Sequence, residues 1–300
     1  MSARVFIDGA VGTTGLQIQS RLAGRSDIEL VTLAEDVRKD ARARADMLNS
    51  VDVAILCLPD AAAREAAALV TNPNVKIIDA SSAHRVADNW AYGFAELSVG
   101  QREVIANATR VSNPGCYAVA SVAMLHPLVS AGLIKADQGI TINAISGYSG
   151  GGKPLMADFE GGIEANTPFF VYGLNLKHKH VPEIHKHSGL KIRPLLAPSV
   201  GNFAQGMIVQ LPLFGEPKEV HDVLARHYDG SRFVRVANTQ WMSRLEPQTL
   251  NGTNELRLHV FGGDGQVVVM ALLDNLGKGA SGSCVQNLNL MLGLDEGLGL

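Results

Sequence analysis

Cys116 stands in SNPGCYAVA, residues 112–120, behind a Pro-Gly pair and ahead of the apolar run AVASVAMLHPL. Pro114 and Gly115 shape a tight turn, and the run that follows predicts a helix whose first turn carries the sulfur. There, unpaired amides and the positive end of the helix dipole favour thiolate over thiol, drawing the pKa below about 8.5. A thiolate in that position is a nucleophile. A buried structural cysteine fits the same local sequence, and the turn alone leaves both readings open. A partner base is offered by YGLNLKHKHVPEIHKH, which holds His178, His180, His185 and His187. Extended HKH geometry sends His178 and His180 to one face, while Pro182 predicts a new helix with His180 just outside its N-terminus and Glu183 inside its first turn. The dipole favours a neutral imidazole at His180, able to accept or relay a proton, with Glu183 to orient it. The rival reading of four close histidines is a zinc site; HExxH is absent and the proline breaks the spacing of the two HxH pairs, so no metal is expected. Cys57 in AILCLP and Cys284 near the C-terminus read as small buried hydrophobes.

A second cluster lies near the N-terminus, in DGAVGTTGLQIQSRL, where Gly9, Gly12 and Gly15 flank Thr13 and Thr14 in the spacing GxxGxxG. Such glycines let amides approach a pyrophosphate at a helix N-terminus. The spacing alone also fits a glycine-tolerant turn; its place at the first strand-to-helix junction is what points to a dinucleotide. After the second predicted strand, LAEDVRKD sets Glu35 or Asp36 against a ribose hydroxyl and Arg38 or Lys39 against the 2′-phosphate of NADP. NADP is the expectation, with both signs of charge present. SGYSGGGK converges amides as an anion loop does, though it is not a Walker A sequence. Arg85 in SAHR and Lys153 in SGGGK are cationic candidates for an anionic substrate, surface charge being the alternative for each.

These residues need a scaffold. Val5–Ile7, Ile28–Leu33, Val51–Leu58 and Val75–Ile78 are short apolar runs alternating with amphipathic stretches, and the unbroken hydrophobicity of VDVAILCLP fits a strand covered on both faces. The pattern is a Rossmann-like doubly wound parallel sheet. Later runs, TINAISGYSG, QGMIVQLPLF, NELRLHV and QVVVMALLD, are longer and partly alternating; in ELRLHV, Leu256, Leu258 and Val260 share one face and Glu255, Arg257 and His259 the other. An α+β domain with a mixed, mainly antiparallel sheet, its strands covered on one face, is expected. Residues 1–116 form the first domain, completed by a C-terminal helix in 280–300, and residues 117–279 the second. The chain has 300 residues, 46% of them hydrophobic, a formal net charge of -3 and scattered basic residues. It offers no footprint for nucleic acid or an anionic membrane. With three widely separated cysteines, no spanning apolar stretch and no signal-peptide pattern, the expected home is the cytoplasm.

Taken in order, SNPGCYA, the GxxGxxG opening, HKHVPEI, CLPD, DASSAHR, WAYGFAEL, SGYSGGGK, APSVGNFAQGM and NLGKGASGS resemble N-acetyl-gamma-glutamyl-phosphate reductase in its shorter, type 2 form. The resemblance implies NADPH-dependent reduction of N-acetyl-gamma-glutamyl phosphate to N-acetylglutamate semialdehyde with release of phosphate, a step of arginine biosynthesis. It further implies a Cys116 thioester, His180 as acid/base with Glu183 behind it, and a homo-oligomer, dimer or tetramer. Gly279 in NLGKGASGS is then a cofactor contact, and Arg85, Asn113, Lys153 and His178 are substrate contacts. Gly115, where related acyl-phosphate reductases usually carry Asn or Ser, favours this family over aspartate-semialdehyde dehydrogenase. The alternatives weighed are a reductase of the longer N-acetylaminoadipyl phosphate, a catalytically silent nucleotide-binding regulator, and a cysteine hydrolase.

Overall fold

Short apolar strands separated by amphipathic helices satisfy their backbone only by pairing with one another. The computed structural model, which describes residues 2–38, 40–161, 167–238 and 242–300, pairs them in two sheets belonging to two units. The first unit comprises Met1–Ala95, Gly100–Pro114 and Ala280–Leu300. It runs β1 (Ala3–Asp8), α1 (Thr13–Leu22), β2 (Ile28–Val31), α2 (Ala41–Leu48), β3 (Val53–Leu56), α3 (Asp60–Leu69), β4 (Lys76–Asp79), β5 (Ala91–Tyr92), α4 (Gln101–Asn107) and β6 (Arg110–Ser112). The second unit, Glu96–Val99 with Gly115–Gly279, continues with α5 (Cys116–Ser130), β7 (Thr141–Gly147), α6 (Gly152–Glu160), β8 (Phe169–Val171), α7 (Val181–Ser188), β9 (Leu195–Gly201), β10 (Met207–Phe214), α8 (Pro217–His227), β11 (Val234–Val236), β12 (Leu256–Gly263) and β13 (Gln266–Leu273). The chain then returns to the first unit for α9 (Gly282–Met291).

In the first unit every strand pairing is parallel, in the order β2-β1-β3-β4-β6-β5. Strand alternation splits the apolar residues between two faces: Val5, Ile7, Val53 and Ile55 join Ile18, Val285 and Leu288 on one, while Phe6, Ala54 and Leu56 join Leu48 and Ala66 on the other. That is why VDVAILCLP is apolar without interruption. The strand predicted over Val51–Leu58 is shorter at both ends, and Pro59, which caps α3, turns the chain out of the sheet. Because the order reverses at β1 and β3, the carboxyl ends of those two strands flank the topological switch point, where such sheets bind their ligands.

The second sheet has the order β11-β12-β13-β10-β7-β9-β8 and is mixed: β7 runs parallel to β9 and β11 to β12, while the four other pairings are antiparallel. Helix α5 is apolar on all sides, as a central helix must be; it packs on α7, α8, β10 and β13. One expectation fails here. In β12, Leu256, Leu258 and Val260 are buried as predicted, but His259 on the opposite face is also only 7% exposed. The second face of this sheet is therefore not simply solvated, and alternation misreads a strand whose polar side is covered too.

Candidate active site

Helix α5 begins at Cys116, with Gly115 as its N-cap and no side chain closing the cap. The first intrahelical bond runs from the Val119 amide to the Gly115 carbonyl, 2.8 Å, so the first-turn amides ahead of Val119 point out of the helix end. Among the described residues, an acid reaches this turn. Glu183, 1% exposed in the first turn of α7, accepts the Gly115 N–H at Oε1, 2.9 Å. The carboxylate expected to orient His180 thus clamps the backbone immediately before the cysteine.

Around that turn, ring hydroxyls and imidazoles form a chain. Tyr117 donates to the Ser199 carbonyl, 3.3 Å, and Tyr172 donates to the Tyr117 hydroxyl, 3.2 Å, while lying 3.3 Å from His178 Nε2. His178 Nδ1 accepts the His180 backbone N–H, 3.1 Å, and the two imidazoles stand 4.8 Å apart, near perpendicular. This corrects the extended reading of HKH: His180 has helical backbone angles and caps α7, so the rings meet because His178 folds back over the next turn. The Tyr117 ring sits 5.4 Å from His178 and 5.8 Å from His180. Burial, then the charges of Tyr172 and Cys116, push the Tyr117 phenol far up, and Tyr172 is pushed up to about 12, chiefly by burial. Both phenols are neutral donors at working pH. Neither was singled out in the sequence, although one follows the cysteine directly and the other lies six residues before His178.

The other two thiols differ. Burial, then the charges of Asp79 and Asp8, raises Cys57 to about 12, and burial raises Cys284 well above the ordinary thiol range. Both remain protonated and inert.

Gly279 sits against Cys116 from within the same unit. A Cβ there would come 2.8 Å from the Cys116 Cβ and 3.1 Å from the Asp274 carbonyl. The segment is organised from Asp274 and Asn275: Asp274 accepts from Gln205, Gly252 and Leu276, and Asn275 accepts the Gly206 N–H and donates to Ser149. This unites three motifs, SGYSGGGK, APSVGNFAQGM and NLGKGASGS. Lys153 is exposed in the first turn of α6, and Ser149–Gly151 lie in a short 3₁₀ turn. Among the described residues no group of three or more His, Cys, Asp or Glu is spaced to hold a metal ion.

In the first unit, Arg85 and Asn113 come together. Arg85 Nε donates to the Asn113 carbonyl and a terminal nitrogen donates to the Ala80 carbonyl, each 3.0 Å, while the Asn113 side chain donates to the Ala280 carbonyl and accepts from Asn287. Beside them, buried Asp79 accepts from Ser81 and lies 2.6 Å from His84 Nδ1, whose ring stacks on Trp90. These residues brace Asn113 at the end of β6, within the first unit.

The glycine cluster occupies the turn from β1 to α1. Gly9 has φ +88°, and a Cβ on it would strike the Cys57 carbonyl; at Gly15 a Cβ would come 2.8 Å from the Ala10 Cα and the Gly9 carbonyl. Both glycines are therefore required by the fold. Gly12 is not: its φ is -77° and a Cβ would meet only the Gly9 carbonyl, at 3.5 Å. It caps α1 without a side-chain bond, and no acid occupies the first turn beside Thr13 and Thr14. Open amides and an absent Cβ at that cap suit a phosphate. Arg38 lies 3.6 Å from Glu35, Arg44 pairs with Asp8 at 2.8 Å, and Lys39 falls outside the described residues.

The chain is similar to known proteins in both sequence and fold. Residues 4–108 match the family model of the semialdehyde dehydrogenase NAD binding domain and residues 116–275 that of the semialdehyde dehydrogenase dimerisation domain. In fold the chain is similar to a probable aspartate-semialdehyde dehydrogenase from Pseudomonas aeruginosa, with a TM-score of 0.73 at 15% identity over 97% of this chain and 99% of that one. In sequence it is 53% identical to N-acetyl-gamma-glutamyl-phosphate reductase 2 of Nostoc sp. over 99% of each chain, and 51% identical to the N-acetyl-gamma-glutamyl-phosphate reductase of Chelativorans sp. over 97% of this chain and 99% of that one. With the SNPGCYA turn, the HxH segment and the glycine turn all present in that frame, the chain belongs to the N-acetyl-gamma-glutamyl-phosphate reductase family.

Proposed function

We propose that this protein reduces N-acetyl-gamma-glutamyl phosphate to N-acetylglutamate semialdehyde with NADPH, releasing inorganic phosphate, in the synthesis of arginine. The observation that carries the reading is Cys116 at the first position of α5, its preceding amide clamped by Glu183, beside the His178, His180 and Tyr172 chain. The Cys116 thiolate attacks the acyl carbon, the bond to phosphate breaks, and a thioester forms. The Gly9–Gly15 turn would hold NADPH, which when bound would supply the hydride that takes the thioester to the aldehyde level. The first-turn amides of α5 stabilise the oxyanion that develops. His180 gives the oxyanion its proton and takes it back as the carbon–sulfur bond breaks, releasing aldehyde and restoring the thiolate. His178, held by Tyr172, positions the substrate; Lys153 meets its negative charge; Arg85 and Asn113 hold the turn that presents the cysteine.

Arg38 and Lys39 are the residues we assign to the 2′-phosphate, and the cytoplasm is the location we assign to the protein. No helix among the described residues is long and apolar enough to cross a membrane. A homo-oligomer is supported by the match to a dimerisation domain and by an apolar groove of about 500 Å³ on the second sheet, lined by Met242, Leu245, Phe261, Val268 and Met270 among others. The test is a spectrophotometric assay of semialdehyde oxidation with phosphate and either NADP or NAD. Phosphate-dependent NADPH formation is expected; its absence with this substrate, or its presence only with the aldehyde one methylene longer, overturns the assignment.

A further inference from the structure

The second unit contains a buried ion pair that the reaction does not use. Lys278 and Glu96 are each 1% exposed in their side chains; the ammonium donates to both carboxylate oxygens, at 2.9 and 2.8 Å, and lies 5.5 Å from the centre of the Phe233 ring. Burying two charges is expensive, and an apolar pair of the same shape commonly serves stability as well or better. The arrangement calls for another reason.

Its surroundings supply one. Lys278 lies in a π-helical turn, Gly277–Ser281, in which the Gly279 amide bonds back five residues to the Asp274 carbonyl, 3.0 Å. Such turns are intrinsically poor and cluster at functional sites. The glycines on either side of Lys278 are sterically forced: a Cβ on Gly277 would strike the Thr253 carbonyl, and one on Gly279 would press on Cys116. Lacking side chains, they hold the turn only through the backbone, as in the Gly279 bond to Asp274, so Lys278 supplies the side-chain anchorage for these three residues. Its partner is anchored in turn, since the adjacent Leu97 carbonyl lies 3.1 Å from His227 Nε2 at the end of α8, and the next residue, Tyr228, donates to the Ala123 carbonyl of α5.

We infer that Glu96 and Lys278 are positioning residues for the nucleophile: the pair fixes the register of the 277–281 turn so that the Gly279 backbone forms the wall against which Cys116 is held at the start of α5. The inference rests on the reading of Cys116 as the nucleophile.

The test is a double variant, Glu96→Gln with Lys278→Met, which removes both charges while keeping the shapes and leaves no lone buried ion. Iodoacetamide labelling of Cys116, followed by peptide mass spectrometry from pH 6 to 9, reads the thiol directly, alongside kcat and the KM for each substrate. A relaxed wall should move the labelling midpoint upward by about one pH unit and lower kcat about tenfold, with the KM for NADP within about twofold. If the double variant does not fold, Glu96→Asp, which keeps both charges and draws the carboxylate back by one methylene, is read in the same way and should show the same direction. Lower melting temperature with an unchanged labelling profile and unchanged kcat overturns the inference and leaves the pair merely structural. A wild-type Cys116 that labels no faster than cysteine in solution instead strikes down the nucleophile, and the inference with it.

Discussion

Two helix ends in this protein carry glycine caps, and they are built in opposite ways. At the start of α1, Gly12 caps an exposed turn, Val11 beside it is 59% exposed, and no acid stands nearby in the helix. At the start of α5, Pro114 and Gly115 are buried, and an inward-facing carboxylate holds the Gly115 amide. The first end leaves its amides open to a ligand that arrives and departs. The second fixes one side chain of its own, with its backbone held in place by neighbours. On the roles proposed above, the same element, a helix N-terminus, serves reversible docking when left open and covalent chemistry when enclosed.

The sharpest way to break this contrast is Cys116→Ser. A serine hydroxyl has no accessible anion at neutral pH, so phosphate-dependent oxidation of the semialdehyde should fall on the order of 10⁴-fold or more. NADP affinity, measured by quenching of NADPH fluorescence, should change by less than about twofold, because the nucleotide turn belongs to the other unit. Substantial residual turnover would rule out a thioester. Next in size is His180→Asn. Removing the proton carrier should lower kcat roughly 10²- to 10³-fold with a smaller change in KM, and one limb of the pH–rate profile should vanish. An intact profile removes His180 from that role and turns attention to His178, 4.8 Å away.

A pair of glycine variants sharpens the open end of the comparison. Gly9→Ala meets both a positive φ and the Cys57 carbonyl, so it should cost stability, on the order of 1–2 kcal/mol from the backbone alone, and weaken NADP binding as well. Gly12→Ala meets only an ordinary contact at 3.5 Å. Its melting temperature should stay near wild type while the NADP dissociation constant rises about tenfold, the methyl standing where a phosphate would lie. Equal losses of stability in the two variants would mean that Gly12 also serves the fold.

How much of this was legible follows from the range over which each signal acts. The parallel sheet was readable in the continuous hydrophobicity of β1 and β3, because burial on both faces writes itself into adjacent residues. The helix starts at Cys116 and just after His180 were readable for a similar reason: Pro114 and Pro182 set local geometry within one turn. What the sequence did not reveal are partners brought together by packing. Glu183 reaches Gly115 across 68 residues and Lys278 reaches Glu96 across 182, and no local rule connects such positions. Tyr172 was missed because an aromatic at a strand end is ordinary until a hydroxyl and an imidazole are found beside it. His259 was misread because period-two alternation reports which residues share a face without reporting whether the second face is covered.

The smallest effect concerns histidines that enclosure has made neutral. His126 Nδ1 lies 3.0 Å from the His187 carbonyl and His227 Nε2 lies 3.1 Å from the Leu97 carbonyl, the two rings 5.9 Å apart. Burial lowers both pKa values from 6.5, in His227 with a second contribution from His126; burial, then Arg257, lowers His259. With folded values below the unfolded one, the unfolded chain binds more protons as the pH falls. The stability these rings contribute is therefore complete above 6.5 and declines as pH drops through 6.5 toward the folded values. The carboxylates of Asp27 and Asp222, lowered by Arg25 and Lys218 respectively, hold until below 3.8. Acid destabilisation should thus come in two stages. Calorimetry should show a melting temperature flat from about pH 8 to 7, then falling by on the order of a few degrees toward pH 5. His227→Gln, which keeps a donor for the Leu97 carbonyl and cannot titrate, should flatten part of that first stage. A melting temperature constant down to pH 4.5 would mean that these imidazoles gain protons without cost, and that the second unit is less tightly enclosed than its nucleophile requires.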